Sequence, residues 1–248
     1  MKTQQLPVWH LGLTQAAFRA FSEQMDRGPK AFGYTFPGLT PAWAMERNAR
    51  SGLPLRDDPG LPTDGPVTLK IADRHWRPDF IPSGTKDGFV SARLRAALDP
   101  EPAAVQWLPV DAGRSPPEIH AIGYSYMHVL TCANPFDMAL SSYRRGEMKG
   151  LNGETAEGWL FDAGTPPDLK LPKLPLSADF EPPCSVFFDA ITGRLMVTDP
   201  VAERIQRAEF ADILLLDPSM HGGAIERDQT RMRLLGGGAA PVAYDELP

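Results

Sequence analysis

Proline occupies 26 of the 248 positions and is scattered along the whole chain rather than gathered in one run. Each proline fixes φ and removes a backbone donor. So many of them imply short elements joined by stiffened turns and loops. The length still allows a substantial buried core, as one large domain or as two small ones sharing an interface. A hydrophobic share of 42% and a charged share of 23% are those of an ordinary globular chain.

The formal net charge of −6, from 31 Asp+Glu against 25 Lys+Arg, disfavours a general affinity for nucleic acid or an anionic membrane and suits a basic partner. From Met1 to Arg19 there is no continuous apolar run behind a basic start, so the segment does not read as a secretion signal. No stretch approaches the roughly 20 apolar residues of a membrane-spanning helix. The expectation is a cytoplasmic protein that does not engage membranes. Cys132 and Cys184 each sit in an apolar, strand-like segment and read as small buried hydrophobes rather than as a disulfide.

Local patterns predict an α+β fold. Thr14 is an N-cap, Phe18, Phe21 and Met25 follow at helical spacing, and Gly28 offers a stop, which together predict an N-terminal amphipathic helix. Aromatic anchors (Phe32, Tyr34, Phe36, Trp43) punctuate the Pro/Gly-rich stretch that follows, with a short helix expected around Ala42 to Ala49. Val67 to Ile71 alternates as a strand does. A turn at Lys86-Asp87-Gly88, the pair Phe89-Val90, Ser91 as N-cap, Leu94 and Leu98 on one helix face, and an apolar segment through Val105, Trp107 and Val110 make a strand–helix–strand unit.

A second unit of the same design follows. Val186-Phe187-Phe188 is a strand, Gly193 turns the chain, and Leu195-Met196-Val197 leads to Thr198 as cap. Val201 and Ile205 then share a helix face, and Ile213 to Leu216 closes the unit. Pro200 stands in the first helical turn, where its missing donor costs nothing. Aligning Val90-Ser91 with Val197-Thr198 brings Leu94 onto Val201 and Leu98 onto Ile205, the pattern of an internal duplication, with coincidence between two capped helices as the alternative. Between the units, Ile122 to Thr131 alternates as a strand. The expected organisation is an N-terminal α+β region with the first unit over 1–150, a linker over 151–180 in which Trp159-Leu160-Phe161 forms a short strand, the second unit over 181–235, and a mobile tail over 236–248. The sheet is expected to be mixed or antiparallel.

Convergent chemistry is sparse. Ser83-Gly84-Thr85-Lys86 has the serine–x–x–lysine spacing of penicillin-interacting enzymes, but it lies in a Pro/Gly turn rather than at a helix start and lacks that family's companion motifs. If one strand carried both His120 and His128, they would stand about 26 Å apart, too far to share a metal. His10, His75 and His221 have no ligand-spaced partner. His221-Gly222-Gly223 resembles an esterase oxyanion loop, yet no glycine–x–serine–x–glycine elbow exists. Gly236-Gly237-Gly238 lacks the lysine and hydroxyl of a phosphate-cradling loop. Adjacent carboxylates at Asp57-Asp58 point different ways and read as solvated charge. These readings assign no catalytic, cofactor or metal residue and favour a binding protein over an enzyme.

The two units and the strand between them resemble a known family. Asp87 through Leu98 followed by Val105-Gln106-Trp107-Leu108-Pro109-Val110 is similar to a "VSxRLxxAL … VxFLPV" signature. Tyr126-Met127-His128-Val129-Leu130 with Phe136 to Ser142 is similar to its "YYxLNxLxxVDALDxxxS" stretch. Val186 through Thr198 to Leu216 resembles its C-terminal block. The family is the myxobacterial type of polymorphic-toxin immunity protein, formerly a domain of unknown function. The three blocks stand in its order from about Pro78 to Pro218.

The resemblance implies a protein made beside a toxin gene that binds the toxin, with no catalytic residues to carry over. Candidate toxin contacts are the acidic and aromatic residues Asp57, Asp58, Glu154, Glu157, Trp159 and Asp162, placed so as to enter a toxin's cleft. The alternatives are a small-molecule hydrolase with scattered residues around Ser83, Lys86 or His221, and an adaptor or scaffold of a secretion system.

Overall fold

The computed structural model describes residues 8–37, 60–61, 65–83, 87–149, 155–161, 174–189, 191, 193–219, 231–232 and 242–243. Strand β1 (Val8–Leu13) runs directly into helix α1 (Gln15–Asp26). The Thr14 hydroxyl accepts from the Ala17 N–H at 3.2 Å, as the N-cap reading requires, and Gly28 takes φ +74° beyond the last turn. The buried face differs from the expected one. Phe18 and Met25 are exposed, whereas Gln24 is buried. The Thr14 N–H is bound to the Asp212 carbonyl at 3.0 Å, which fixes how the helix is rotated. Phe21 and Gln24 therefore meet the neighbouring sheet, Phe21 against Phe32 and Trp76, and Gln24 with its amide 3.5 Å from Asp73.

The first sheet is built from β2 (Phe32–Thr35), β3 (Val67–Ile71), β4 (Phe80–Pro82), β5 (Asp87–Val90), β6 (Val105–Asp111) and β7 (Ser125–Val129), in the order β2-β3-β6-β7-β5-β4. Only its β3–β6 pair is parallel. Helix α2 (Ala92–Leu98) connects β5 to β6, and β7 lies between those two strands, antiparallel to both. Asp87 and Gly88, expected in a turn, begin β5 instead. A Cβ on Gly88 would stand 2.6 Å from the Ile81 carbonyl, so close pairing with β4 demands glycine there. The strand expected over Ile122–Thr131 is shorter, because a helical turn α3 (Pro117–His120) and Gly123 at φ +66° occupy its approach.

The second sheet has the order β13-β1-β12-β11-β8, from β8 (Cys132–Ala133), β11 (Val186–Asp189), β12 (Leu195–Thr198) and β13 (Ile213–Leu216), with β1 between β13 and β12. Helix α4 (Asp199–Arg207) joins β12 to β13. The sheet of the later unit is thus completed by the start of the chain, antiparallel to β12 and β13 alike. Strands β9 (Tyr143–Lys149) and β10 (Thr155–Phe161) form a separate antiparallel hairpin, and the strand expected at Trp159–Phe161 is the end of β10. Arg231–Met232 pairs with Val242–Ala243. Cys132 and Cys184 are half-buried rather than buried, and no disulfide joins them. The helix expected around Ala42 to Ala49 lies outside the described residues.

Both sheets turn one face onto α2 and α4. Val90, Val105, Met127 and Val129 from the first, and Trp9, Leu11, Val197, Ile213 and Leu215 from the second, enclose Leu94, Leu98, Val201 and Ile205 in one cluster. The caps are unequal. Ser91 Oγ accepts from Leu94 N–H at 3.0 Å, while Thr198 has the extended cap backbone but no side-chain bond, Pro200 having removed one donor that needed it. Arg204 of α4 donates to the Ala97 and Leu98 carbonyls at 2.8 and 3.0 Å, which satisfies the open end of α2 with a cation and ties the helices together. A second cluster covers the outer face of the first sheet (Phe32, Leu69, Ile71, Ile81, Phe89, Tyr126), and Val8, Phe187 and Met196 form a small one outside the second. The architecture is mixed α+β with mostly antiparallel sheets, as expected.

Candidate functional site

Among the described residues, three polar clusters have side chains suited to chemistry or recognition. The first crosses the outer face of the first sheet, where strand register sets Ser83, Asp87, His128 and Gln106 in one row. Asp87 Oδ1 meets His128 Nδ1 at 2.7 Å with both side chains sealed from solvent, 0% and 1% exposed. Gln106 clamps the backbone of Leu61, accepting from its N–H at 2.6 Å and donating to its carbonyl at 3.1 Å. Ser83 Oγ shares a 2.7 Å hydrogen bond with the Tyr126 hydroxyl. In a serine–histidine–aspartate triad the imidazole stands between hydroxyl and carboxylate. Here Asp87 stands between Ser83 and His128, so the row is a buried polar lock and does not have that order.

The second cluster welds three segments together. Asp212, just before β13, accepts from the Asp79 and Phe80 N–H groups at 2.5 and 3.2 Å. Asp79 accepts from Ser91 Oγ at 2.5 Å and meets Arg93 at 3.1 Å. Tyr124 donates to the Pro78 carbonyl at 2.6 Å. Burial, and then the nearby Asp79 charge, push the Asp212 carboxyl up from 3.8. Burial with Asp212 and Asp79 pushes the Tyr124 hydroxyl up as well. A carboxyl raised in the folded state favours folding while it is protonated, and that contribution is lost as pH rises from about 4 through the raised value. Asp212→Asn keeps an acceptor for the two N–H groups without the charge. Urea midpoints should therefore shift in favour of the variant, relative to the native chain, as pH goes from about 4 to 7. A difference that stays flat with pH would contradict this.

The third cluster lies on the outer side of the second sheet and is partly exposed. Asp189 ends β11, Arg194 precedes β12, His10 lies on β1 and Tyr143 begins β9. Gly193, at φ +73°, lets the β11–β12 turn close, with its N–H bound to the Asp189 carbonyl at 3.1 Å. Arg194 donates to His10 Nδ1 at 3.2 Å, so the neutral ring carries its proton on Nε2. Asp189 is fully buried and accepts the Ile191 N–H at 2.7 Å. Burial raises the Tyr143 hydroxyl, with Arg194 opposing and Asp189 adding. From this base rises the β9–β10 hairpin, whose register places Trp159 opposite Arg145 and Glu157 opposite Glu147. The half-buried Arg194, His10 and Tyr143, the last at the start of the hairpin, form a surface able to donate and accept hydrogen bonds, which makes it the candidate recognition site.

No protein-family model matches the chain, and no curated protein is similar to it. Glu157 and Trp159 are thus brought onto one strand of the hairpin, two positions apart. Asp57, Asp58, Glu154 and Asp162 lie outside the described residues, as do Lys86 and His221. His10, Tyr143, Asp189 and Arg194 carried no signal in the sequence, because no spacing relates residues that meet only through sheet pairing. His120 and His75 are engaged locally, with the Ser115 carbonyl at 3.0 Å and Arg74 at 3.2 Å. Among the described residues no group of three metal-ligating side chains converges, and no helix is long and apolar enough to cross a membrane.

Proposed function

We propose that the chain is an immunity protein that binds a cognate bacterial toxin, encoded next to it, and neutralises it by occluding the active site. The observation that carries the reading is the three-block sequence resemblance, in the family's order. It is supported by the use made of those blocks: their apolar and capping residues build the shared core around α2 and α4. A body braced in this way can hold loops and an arm in a fixed geometry, which lowers the ordering cost of binding. The net charge of −6 favours fast association with a basic toxin. Asp57, Asp58, Glu154, Glu157, Trp159 and Asp162 are the proposed contacts, of which Glu157 and Trp159 lie on the β9–β10 hairpin.

The framework itself is proposed to be duplicated. Both β5-α2-β6 and β12-α4-β13 flank one antiparallel central strand, β7 in the first case and β1 in the second, and each follows a hairpin partner, β4 or β11. The test of function is co-expression with the C-terminal domain of the neighbouring open reading frame. Growth should be restored and the two proteins should co-purify. Trp159→Ala combined with Glu157→Lys should weaken the complex by about 30-fold, the effect of losing roughly 2 kcal/mol at a buried anchor. Growth arrest that persists despite full expression of this chain excludes the reading.

A further inference from the structure

The stripe Phe18, Phe21 and Met25 runs along one side of α1 at i, i+3 and i+7. Its middle member is packed, 6.4 Å from Trp76 at an interplanar angle of 26°, and Trp76 in turn rests edge-on against Phe32. Its two ends are not: Phe18 is 56% exposed and Met25 50%. A single exposed apolar side chain is ordinary, but two that flank a packed aromatic pair make a contiguous surface of the kind used for docking.

Cations surround that surface. Arg19, Arg27 and Lys30 come from α1 and the turn after it, Arg74 and Arg77 from the β3–β4 loop, and all five are exposed. The loop is held against the helix, since Asp73 meets Gln24 at 3.5 Å and Arg27 at 3.9 Å. Within the loop, Arg77 donates to the Arg74 carbonyl at 2.8 Å. The carboxylates nearby are Glu23, Asp26 and Asp73, and Asp73 is already engaged by Gln24, Arg27 and the His75 N–H. The surface is therefore locally basic, in a chain whose net charge is −6.

We propose that α1 and the β3–β4 loop form a docking surface for an amphipathic helix of a partner protein, one whose apolar stripe is flanked by carboxylates. Phe18 and Met25 are seven positions apart, about 10.5 Å along the axis, which matches the i, i+3, i+4, i+7 stripe of a helix laid along α1. Flanking carboxylates complement Arg19, Lys30, Arg74 and Arg77, whereas Glu23 and Asp26 on the same helix repel a continuous anionic surface such as a lipid bilayer or nucleic acid. This surface is separate from the hairpin and does not depend on the partner being a toxin.

The test uses the full chain with two synthetic helical peptides of about four turns. Both carry leucine at i, i+3, i+4 and i+7, one with glutamate on the flanks and its twin with lysine. Vesicles of phosphatidylserine and phosphatidylcholine form a third arm. The glutamate peptide should bind, with amide shifts confined to α1 and the β3–β4 loop, and the lysine twin should bind at least about tenfold more weakly. The pairs Phe18→Ser with Met25→Ser, and Arg74→Glu with Arg77→Glu, alter exposed side chains. Each should reduce binding by about tenfold or more at an unchanged melting temperature. Equal affinity for the two peptides, binding of neither, indifference to both variants, or a preference for the vesicles would overturn the proposal.

Discussion

Replacing Asp87 by alanine is expected to destabilise the fold by about 3–5 kcal/mol, because it removes the carboxylate that the His128 ring meets inside a site sealed from solvent. His128 and Asp87 are 1% and 0% exposed and 2.7 Å apart, directly opposite each other on β7 and β5. A domain of this kind has a total stability of about 5–15 kcal/mol, so the loss is a large fraction of it. His128→Leu should be similarly costly, since it leaves the Asp87 carboxylate buried beside an apolar group. The two changes together, Asp87→Ala with His128→Leu, should cost clearly less than the two single losses combined, because neither polar group then remains to be satisfied. Urea unfolding of the three variants measures this. A single variant within about 1 kcal/mol of the native chain would show that the pair is not the lock its geometry makes it.

The second large effect is at Trp9. This residue lies on β1, an interior strand of the second sheet, 5% exposed within the shared core, and its indole N–H donates to Asp199 Oδ1 at 2.9 Å in the first turn of α4. Trp9→Ala should destabilise by about 3–5 kcal/mol through lost burial and the cavity left behind. Trp9→Phe, which keeps most of the volume and loses the hydrogen bond, should cost about 1–2 kcal/mol. Since β1 separates β12 from β13, the alanine variant should also raise amide exchange in those two strands, although they lie nearly two hundred positions away in the chain. Exchange that changes only within β1 would mean that β12 and β13 do not depend on the strand between them.

Both effects arise where distant segments meet, and this bears on what the sequence made legible. Helix starts were readable at Thr14, Ser91 and Thr198 because a cap and the turn it closes lie within a few residues of each other. Strand β3 and the second unit were readable for the same reason: alternation and helical spacing are properties of a short window. Their boundaries were read less well wherever a neighbour intervened. Asp87-Gly88 looks like a turn until β4 and β7 are placed on either side of it, and both are paired only by tertiary contact.

The candidate site was legible only in part. Glu157 and Trp159 were singled out by residue type, and the hairpin that carries them follows from its pairing with β9. Its base left no trace in the sequence, because His10, Asp189 and Arg194 are brought together by the β1-β12-β11 strand order and Tyr143 joins them from β9.

By itself the sequence determined the α+β class, the caps, the short elements imposed by its prolines and the apolar faces of the two later helices. Tertiary structure alone decided which way α1 faces, that β1 fills the second sheet, and that Asp87 finds His128. Local propensity acts over one or two turns of backbone, whereas these outcomes depend on which buried polar groups and apolar faces can be satisfied at once, a condition met only when the whole chain is folded.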